Sequence, residues 1–195
     1  SDLAAHVPLI VISELLGLDP GIRSSLYEWS EAMIAGEAAG PDDVELIERA
    51  AWGFGDYTTM VSKVLDERRE DPKDDMLSIL AAAYDAGDLT YGEEIKANYE
   101  GAHEAAGRPV NELSNDELLM FCVLLMVAGN ETTRNAIAGG LRAFSQFPAE
   151  RDKLLADPAT IDLAVEEILR WTSPVLNFTR TVTSTVTLDG TELHE

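Results

Sequence analysis

Apolar residues recur at every third or fourth position along most of this chain, which is the spacing of amphipathic α-helices. The pattern predicts helices over residues 7–16, 19–36, 41–71 and 76–86. Residues typical of helix ends support two of these bounds, since Gly17 follows the first helix and Asp75 precedes the fourth. Residues 1–113 are therefore predicted to be mostly helical, with Asp88 to Asn111 as an exposed polar loop that contains one weak helix.

One helix is predicted to be much longer than the others. Ser114 and Glu117 form a capping box, and an apolar run follows them directly, so this helix is predicted to span 114–147. Shorter helices are predicted within 148–174, and β-branched residues around an Asp-Gly turn signal predict a β hairpin within 175–195. The expected fold is mainly α with a short C-terminal β hairpin, in one partial domain over residues 1–195.

The composition is that of a folded protein with a strong negative charge. Hydrophobic residues make up 46% of the 195 positions, and 14 Lys and Arg face 36 Asp and Glu, which gives a net charge of -22. This charge repels phosphate backbones and anionic lipids, so nucleic acid is not expected as a partner. The longest apolar run, residues 118–129, is too short for a membrane span, which needs about 20 residues.

Cys122 is the only cysteine and lies inside that apolar run. The chain can therefore form neither an internal disulfide nor a thiolate metal cluster, and Cys122 is expected to be a buried small apolar side chain. The cysteine usage and the lack of a basic-then-apolar N-terminal segment predict a cytoplasmic location. The chain starts without Met and stops directly after a strand-like segment, so we expect it to be an internal piece of a longer chain.

The centre of the long helix carries the first candidate site, Ala128-Gly129-Asn130-Glu131-Thr132-Thr133. Small residues at 128 and 129 leave room for a flat group to approach the backbone, and the hydroxyl of Thr132 can bond to the carbonyl of Ala128. A plain close crossing of two helices, with Glu131 solvated, is the alternative interpretation.

A second candidate set lies nearer the C-terminus. Glu167 and Arg170 are three residues apart on one predicted helix face, and Arg180 stands on a predicted strand otherwise filled by Thr and Val. A lone arginine in such a strand indicates an anionic partner. The alternatives are a surface ion pair and a solvent-facing residue on an edge strand.

Taken in order along the chain, these motifs resemble the cytochrome P-450 superfamily. The acid-threonine segment on a long helix, then Glu167-x-x-Arg170, Arg180 and Leu188-Asp189-Gly190 follow the family's order, and residues 7–17 are similar to a segment of its bacterial members. The resemblance implies the helical core portion of that fold. It also implies that Ala128 and Gly129 leave space for dioxygen at a haem, that Thr132 hydrogen-bonds the oxygen or its water, and that Glu131 passes protons.

The resemblance extends to residues outside the long helix. It implies that Arg180 pairs with a haem propionate, and that Glu167 and Arg170 belong to a buried structural charge network. The family's cysteine loop, which holds the iron, is not present in this sequence, and Cys122 cannot replace it because it lies on the distal helix. No metal ligand is therefore assigned in this chain.

The family's reaction implies haem b as the cofactor of a full-length parent and a ferredoxin-type donor of two electrons. The expected function is monooxygenation of a small hydrophobic substrate. Asn130, Arg134 and Asn135 are similar to the actinobacterial branch that acts on sterols, fatty acids or terpenoids. The fragment itself is expected to be inactive and to self-associate through the apolar helix face around Leu124.

Other classes of function have weaker sequence support. Glu100 and His103 make one Glu-x-x-His unit, whereas a di-iron bundle needs two. No Gly-x-Ser-x-Gly occurs, so a serine hydrolase is not indicated. The competing hypothesis is a non-catalytic acidic helical interaction module. The presence of both Thr132 and Arg180 in their sequence contexts distinguishes the monooxygenase hypothesis from this one.

Overall fold

The computed structural model describes residues 2–37, 39–91, 112–177 and 180–194. The α-helices and strands within these residues are α1 (Asp2–Leu15), α2 (Arg23–Glu37), α3 (Val44–Glu70), α4 (Met76–Ala86), α5 (Asn115–Gln146), α6 (Pro148–Ala156), α7 (Ile161–Thr172), β1 (Val186–Leu188) and β2 (Thr191–Leu193). The chain divides into two compact units, Ser1–Ala138 and Gly139–Glu195, with the boundary inside α5. The predicted mainly α fold with a C-terminal hairpin is confirmed.

The first unit encloses a hydrophobic core built from α1 to α4 and the first part of α5. Its fully buried side chains include Leu9, Leu16, Leu26, Tyr57, Val61, Leu65, Leu77, Leu118 and Met126. Trp29 and Tyr57 meet edge to face with their ring centroids 6.1 Å apart, an arrangement that adds to the apolar burial. The helices α2 and α3 approach closely at Gly53, because a Cβ there would lie 3.0 Å from the carbonyl oxygen of Trp29.

The hydroxyl of Tyr57 ties α3 to α5 inside this core. It donates a hydrogen bond of 2.9 Å to the carbonyl oxygen of Cys122. Burial raises the pKa of Tyr57, so the phenol stays protonated and remains a donor. The bond satisfies a polar group that would be costly to bury alone.

A buried ion pair joins the end of α3 to the start of α4. Arg68 Nε lies 2.6 Å from Asp75 Oδ2, and Arg68 Nη2 donates to the carbonyl oxygen of Gly17 at 2.7 Å. Asp75 also caps α4, as predicted, by accepting a 2.8 Å hydrogen bond from the Ser78 N–H. Burial alone would raise the pKa of Asp75, but the hydrogen bonds from Ser78 and Arg68 outweigh it and lower that pKa.

The capping box predicted for the long helix is confirmed. The Ser114 N–H donates to Glu117 Oε2 at 2.7 Å, and the Glu117 N–H donates to Ser114 Oγ at 3.4 Å. From this start α5 runs for 32 residues without a break. The candidate residues 128–133 therefore lie in the middle of the helix, with helical turns on both sides.

The second unit contains the end of α5, the helices α6 and α7, and the hairpin. Phe147 and Trp171 meet edge to face with ring centroids 5.5 Å apart. None of the hydrophobic side chains described beyond Ala138 is fully buried, and Leu163 and Leu176 expose 74% and 89% of their surface. This unit therefore has contacts between its helices but no enclosed core in the part of it that the structure describes.

The hairpin is confirmed, but the strand predicted around Arg180 is wrong. β1 and β2 pair antiparallel with Leu188 opposite Thr191, around a two-residue turn with positive φ at Asp189 and Gly190. Residues 180–185 are irregular. A strand needs a neighbour to take its backbone hydrogen bonds, and no described strand lies beside these residues.

The predicted polar loop over residues 88–111 is covered by the structure only in part. Residues 92–111, which make up most of the predicted polar loop and include Glu100 and His103, lie outside the described residues. At the edges of this segment Thr90 and Glu112 form an isolated antiparallel bridge. Among the described helices, none combines the length and the apolar character needed to cross a membrane.

Candidate active site on the long helix

Small and hydroxyl side chains come together on adjacent turns in the middle of α5. Ala128 is exposed, while Gly129 and Thr132 are half-buried. The hydroxyl of Thr132 donates to the carbonyl oxygen of Ala128, as predicted. A Cβ on Gly129 would come no closer than 3.5 Å to its nearest neighbour, Ile12 Cδ1, which is an ordinary contact. Packing within the first unit therefore does not require glycine at position 129.

The carboxylate of Glu131 is held by two side chains of its own helix. Arg134 Nη2 donates to Glu131 Oε2, and Asn135 Nδ2 donates to Glu131 Oε1 at 2.9 Å. The side chain of Glu131 is 26% exposed. This acid is therefore ion-paired and partly covered, but it keeps access to solvent.

Arg134 links this acid to α2. Its Nη1 donates to Glu31 Oε1 at 2.7 Å, and its guanidinium lies 5.9 Å from the centroid of the Tyr27 ring. Burial by itself lowers the pKa of Arg134, but the hydrogen bond to Glu31 and the charge of Glu131 outweigh it and raise that pKa. The guanidinium therefore stays charged between two carboxylates that come from different helices.

A second link between α2 and α5 is fully buried. Asn130 Nδ2 donates to Ser30 Oγ at 2.7 Å, and Ser30 Oγ donates in turn to the carbonyl oxygen of Tyr27 at 3.0 Å. The other side-chain atom of Asn130, Oδ1, is buried without a hydrogen-bond partner in the structure. Such a pair fixes the register of two helices, because any slip would leave both polar groups buried and unpaired.

Sequence reasoning missed the α2 half of this arrangement. Ser30 and Glu31 lie 100 and 103 residues before their partners. Nothing in the local pattern of α2 distinguishes them from other polar residues of an amphipathic helix. The only sequence feature that pointed to these contacts lies on α5, where Asn130 and Arg134 flank the acid-threonine pair Glu131 and Thr132.

An apolar groove of about 480 Å³ lies beside the same helices. It is lined by Met33, Gly36, Ala50, Ala51, Phe54, Met120, Val123, Leu124 and Val127, from α2, α3 and α5. No charged side chain lines it, and Leu124 and Met120 are 59% and 50% exposed at its wall. A groove of this size and character suits an uncharged apolar molecule.

Cys122 is a buried core residue, as predicted. It has no exposed surface, and burial raises the pKa of its thiol to about 11. A thiol in this state is neither a nucleophile nor a ready metal ligand at neutral pH. Among the described residues, no cluster of His, Cys, Asp and Glu could hold a metal ion.

Glu167 and Arg170 form the predicted pair, which is exposed in the described residues, and their place in a buried charge network of a longer protein stays a prediction. Arg170 Nε and Nη2 donate to the two carboxylate oxygens of Glu167, each at 2.7 Å. The two side chains are 60% and 66% exposed, because no described element packs over this face of α7. The hydrogen bond from Arg170 lowers the pKa of Glu167. Arg180 is exposed on the irregular segment before β1, and its contact with a haem propionate stays a prediction.

Two kinds of comparison with known proteins give different results. No model of a known protein family matches the chain, whereas individual proteins are similar to it over almost its whole length. The chain is 32% identical over 192 residues to a steroid C26-monooxygenase of Mycolicibacterium smegmatis, covering 98% of this chain and 42% of that protein. It is 31% identical over 195 residues to a methyl-branched lipid omega-hydroxylase of Mycobacterium bovis, covering 99% of this chain and 40% of that protein.

A solved structure has the same fold as this chain over 98% of its length. The crystal structure of CYP109E1 from Bacillus megaterium in complex with testosterone superposes with a TM-score of 0.75 at 26% identity, over 98% of this chain and 44% of that one. The chain therefore belongs to the cytochrome P-450 superfamily, as the order of its motifs predicted. It spans about two fifths of the length of the relatives it matches.

Proposed function

We propose that the protein containing this sequence is a haem-dependent monooxygenase that hydroxylates a hydrophobic substrate with dioxygen and two electrons. The observation that carries the proposal is the middle of α5, where small residues, a threonine hydroxyl and a partly exposed carboxylate occupy adjacent turns beside an apolar groove. Relatives named as a steroid monooxygenase and a lipid hydroxylase support it.

The described residues fit one face of a haem. At Ala128 and Gly129 the helix presents nothing larger than a methyl group, and a flat macrocycle can approach such a surface closely. The thiol of Cys122, the only cysteine of this sequence, is buried with a pKa of about 11, so a residue other than Cys122 would hold the iron. When bound, the haem would supply the activation of dioxygen. Arg180 is proposed to pair with one of its propionates.

Thr132 has the chemistry to hold a water or oxygen beside this surface. Its proton is committed to the carbonyl of Ala128, which leaves the lone pairs of Oγ1 free to accept a hydrogen bond. Glu131 is the neighbouring ionisable group, and its partly exposed carboxylate can take a proton from solvent. We assign to Glu131 the supply of protons and to Thr132 their placement.

The uncharged lining of the apolar groove is evidence for a hydrophobic substrate. Its lining carries no charge, so a carboxylate or ammonium placed within it would be desolvated without a partner. We propose an uncharged or weakly polar portion of a sterol, fatty acid or terpenoid as its occupant. The names of the two relatives, which refer to a steroid and to a methyl-branched lipid, are consistent with this class.

The remaining proposals concern partners and location. A ferredoxin-type protein is proposed as the electron donor and the cytoplasm as the location, in line with the resemblance and with the single buried cysteine. Self-association of the present chain is proposed because Phe121, Leu124 and Met120 on α5 are exposed together.

The decisive experiment replaces Thr132 in a haem-loaded protein that carries this sequence within a chain of its relatives' length. Thr132→Ala removes the hydroxyl that places protons, so oxygen consumption should persist while hydroxylated product falls and peroxide rises. The measurement is the ratio of product to NAD(P)H consumed.

Thr133→Ala is the matched control, because Thr133 is the exposed neighbour of Thr132 on the same helix. It should leave that ratio unchanged. An unchanged ratio in Thr132→Ala would remove Thr132 from the mechanism.

A further inference from the structure

Two successive glycines lie where α7 crosses the C-terminal part of α5, inside the second unit. A Cβ built on Gly139 would overlap Thr172 Cγ2 and lie 3.0 Å from Thr172 Cβ. A Cβ on Gly140 would lie 3.0 Å from Ile168 Cδ1 and from Ile168 Cγ2. Cβ atoms of folded proteins do not come within 3.0 Å of such an atom. α7 therefore lies closer to α5 than a side chain at position 139 would permit.

The covered face of α7 is the face that meets these glycines. Ala164, Ile168 and Thr172 are half-buried, and every other residue of α7 is exposed. The three are four residues apart, so they share one face of the helix. Two of them, Ile168 and Thr172, face the glycines directly. The crossing is therefore where α7 gains most of its cover.

The glycines are unfavourable for α5 itself. Glycine is the poorest residue in a helix interior apart from proline, and α5 carries two in succession. Gly55 in α3 shows the contrast, since no described atom outside its own helix backbone lies within 4 Å of a Cβ built there. Close packing against α7 thus requires glycine at Gly139, where local helix propensity opposes it.

Thr172 cannot relieve the overlap by turning its side chain alone. Its Oγ1 donates a 2.8 Å hydrogen bond to the carbonyl oxygen of Ile168, which fixes the χ1 angle. Cγ2 could swing away from α5 only if this bond were given up. A methyl group at position 139 is therefore expected to displace α7 as a whole.

We infer that Gly139 is a positioning residue, which fixes where the Glu167–Arg170 pair stands relative to the end of α5. Glu167 directly precedes Ile168, so the pair moves with the crossing. Its two members are bonded to each other and move together. The use of this position rests on the proposed function, in which the pair joins a buried charge network of a haem protein. Hydrogen bonds weaken steeply with distance and angle, so such a network tolerates little displacement.

A ring contact reports the position of α7 without haem. The Phe147 N–H donates to the carbonyl oxygen of Ala143 at 2.8 Å, which ties this ring to the end of α5. Trp171 on α7 meets it edge to face with ring centroids 5.5 Å apart. The indole N–H signal of Trp171 in 15N NMR of the 195-residue chain therefore depends on the spacing of the two helices. Trp171→Phe identifies this signal among those of the three tryptophans.

Gly139→Ala should move the Trp171 signal and leave the other two tryptophan signals in place. Gly140→Ala should move it less, because its Cβ meets Ile168 at 3.0 Å without overlap. Gly55→Ala is the matched control and should leave the signal unmoved, since it changes a helical glycine that packs against nothing described. An equal movement in Gly55→Ala would trace the effect to helix propensity and overturn the inference. Gly140→Ala keeps the test valid if Gly139→Ala fails to fold.

A second substitution separates positioning from a general loss of stability. Thr172→Ser removes Cγ2, the overlapping atom, and keeps the hydroxyl. The double variant Gly139→Ala/Thr172→Ser should therefore return the Trp171 signal to its place in Thr172→Ser alone. The inference is overturned if the double variant keeps the signal position of Gly139→Ala, or if Gly139→Ala never moves the signal.

The haem-loaded protein of the relatives' length tests what the position is used for. The share of haem retained after gel filtration should fall in Gly139→Ala, recover in the double variant and stay at the wild-type level in Gly55→Ala. Full retention in a Gly139→Ala protein whose Trp171 signal has moved would overturn the role assigned through Glu167 and Arg170. The Thr132→Ala result does not depend on α7, so the two proposals fail separately.

Discussion

Residues 1–138 and 139–195 carry the same kind of amphipathic helix pattern, yet only the first unit buries its apolar side chains. Leu65 in the first unit is 1% exposed, whereas Leu163 in the second is 74% exposed. The difference shows that an apolar stripe is enough to predict a helix but not to bury it. Burial requires a second surface, which α1 to α5 supply for one another.

The ion pairs of the two units differ in the same way. Arg68–Asp75 and Arg170–Glu167 have similar nitrogen-to-oxygen distances, 2.6 and 2.7 Å. The first pair is almost completely buried and carries further hydrogen bonds, whereas the second is open to water. Despite the similar geometry, loss of one partner is expected to cost more in the buried pair, because it leaves an uncompensated buried charge, whereas water screens the exposed charges.

The largest expected effect comes from breaking the buried pair. Arg68→Ala leaves Asp75 charged and buried without its partner, which should cost about 3–5 kcal/mol of unfolding free energy. Urea denaturation followed by tryptophan fluorescence measures this, since Trp29 is buried in the same unit. Arg170→Ala is the control and should leave the urea midpoint unchanged. A comparable loss in both variants would contradict the contrast between the units.

The next effect concerns apolar packing. Leu65→Ala creates a cavity in the core of the first unit and should cost about 2–5 kcal/mol. Leu163→Ala removes the same atoms from an exposed position and should change the unfolding free energy by less than about 0.5 kcal/mol. Urea midpoints of the two variants provide the measurement. A large cost for Leu163→Ala would mean that the second unit covers this side chain in solution.

The smallest expected effect is the response to pH. The pKa of Asp75 is lowered in the folded chain, so its stabilising contribution is present above its unfolded value of about 3.9 and is lost as pH falls through the folded value. The urea midpoint should therefore fall on acidification below about pH 4. Asp75→Asn should flatten this dependence.

Glu167 provides the control for the pH experiment. Its pKa is also lowered, by the hydrogen bond from Arg170, but the pair is exposed. Glu167→Gln should alter the pH dependence of the urea midpoint much less than Asp75→Asn does, because water screens the exposed pair. If Glu167→Gln flattens the curve as much as Asp75→Asn, the exposed pair contributes to folding and the contrast fails.

Local signals predicted most of the helices and half of the candidate site. The capping box at Ser114, the cap at Asp75 and the turn at Gly190 fix backbone geometry within four residues, so they could be predicted before any tertiary contact was known. The placement of Glu131 and Thr132 on adjacent positions of one helix follows from the same local spacing.

Other features could not be predicted because they depend on distant parts of the chain. Residues 180–185 have strand-like side chains, but a strand exists only where a neighbour takes its hydrogen bonds, and β1 begins at Val186. Glu167 and Arg170 pair by helical spacing alone, whereas their exposure depends on what packs over α7. Spacing predicts a bond within a helix but not the dielectric around it.

The sequence by itself determined where most helices end and which residues share the central face of α5, whereas α1 begins at Asp2, five residues before its predicted start. Only the tertiary structure decided that Arg134 meets Glu31, that Asn130 meets Ser30, and that an apolar groove lies beside them. Helical hydrogen bonds close over four residues and are governed by local propensity. Side-chain partners about a hundred residues apart meet only after α2 and α5 have packed, so no local pattern can specify them.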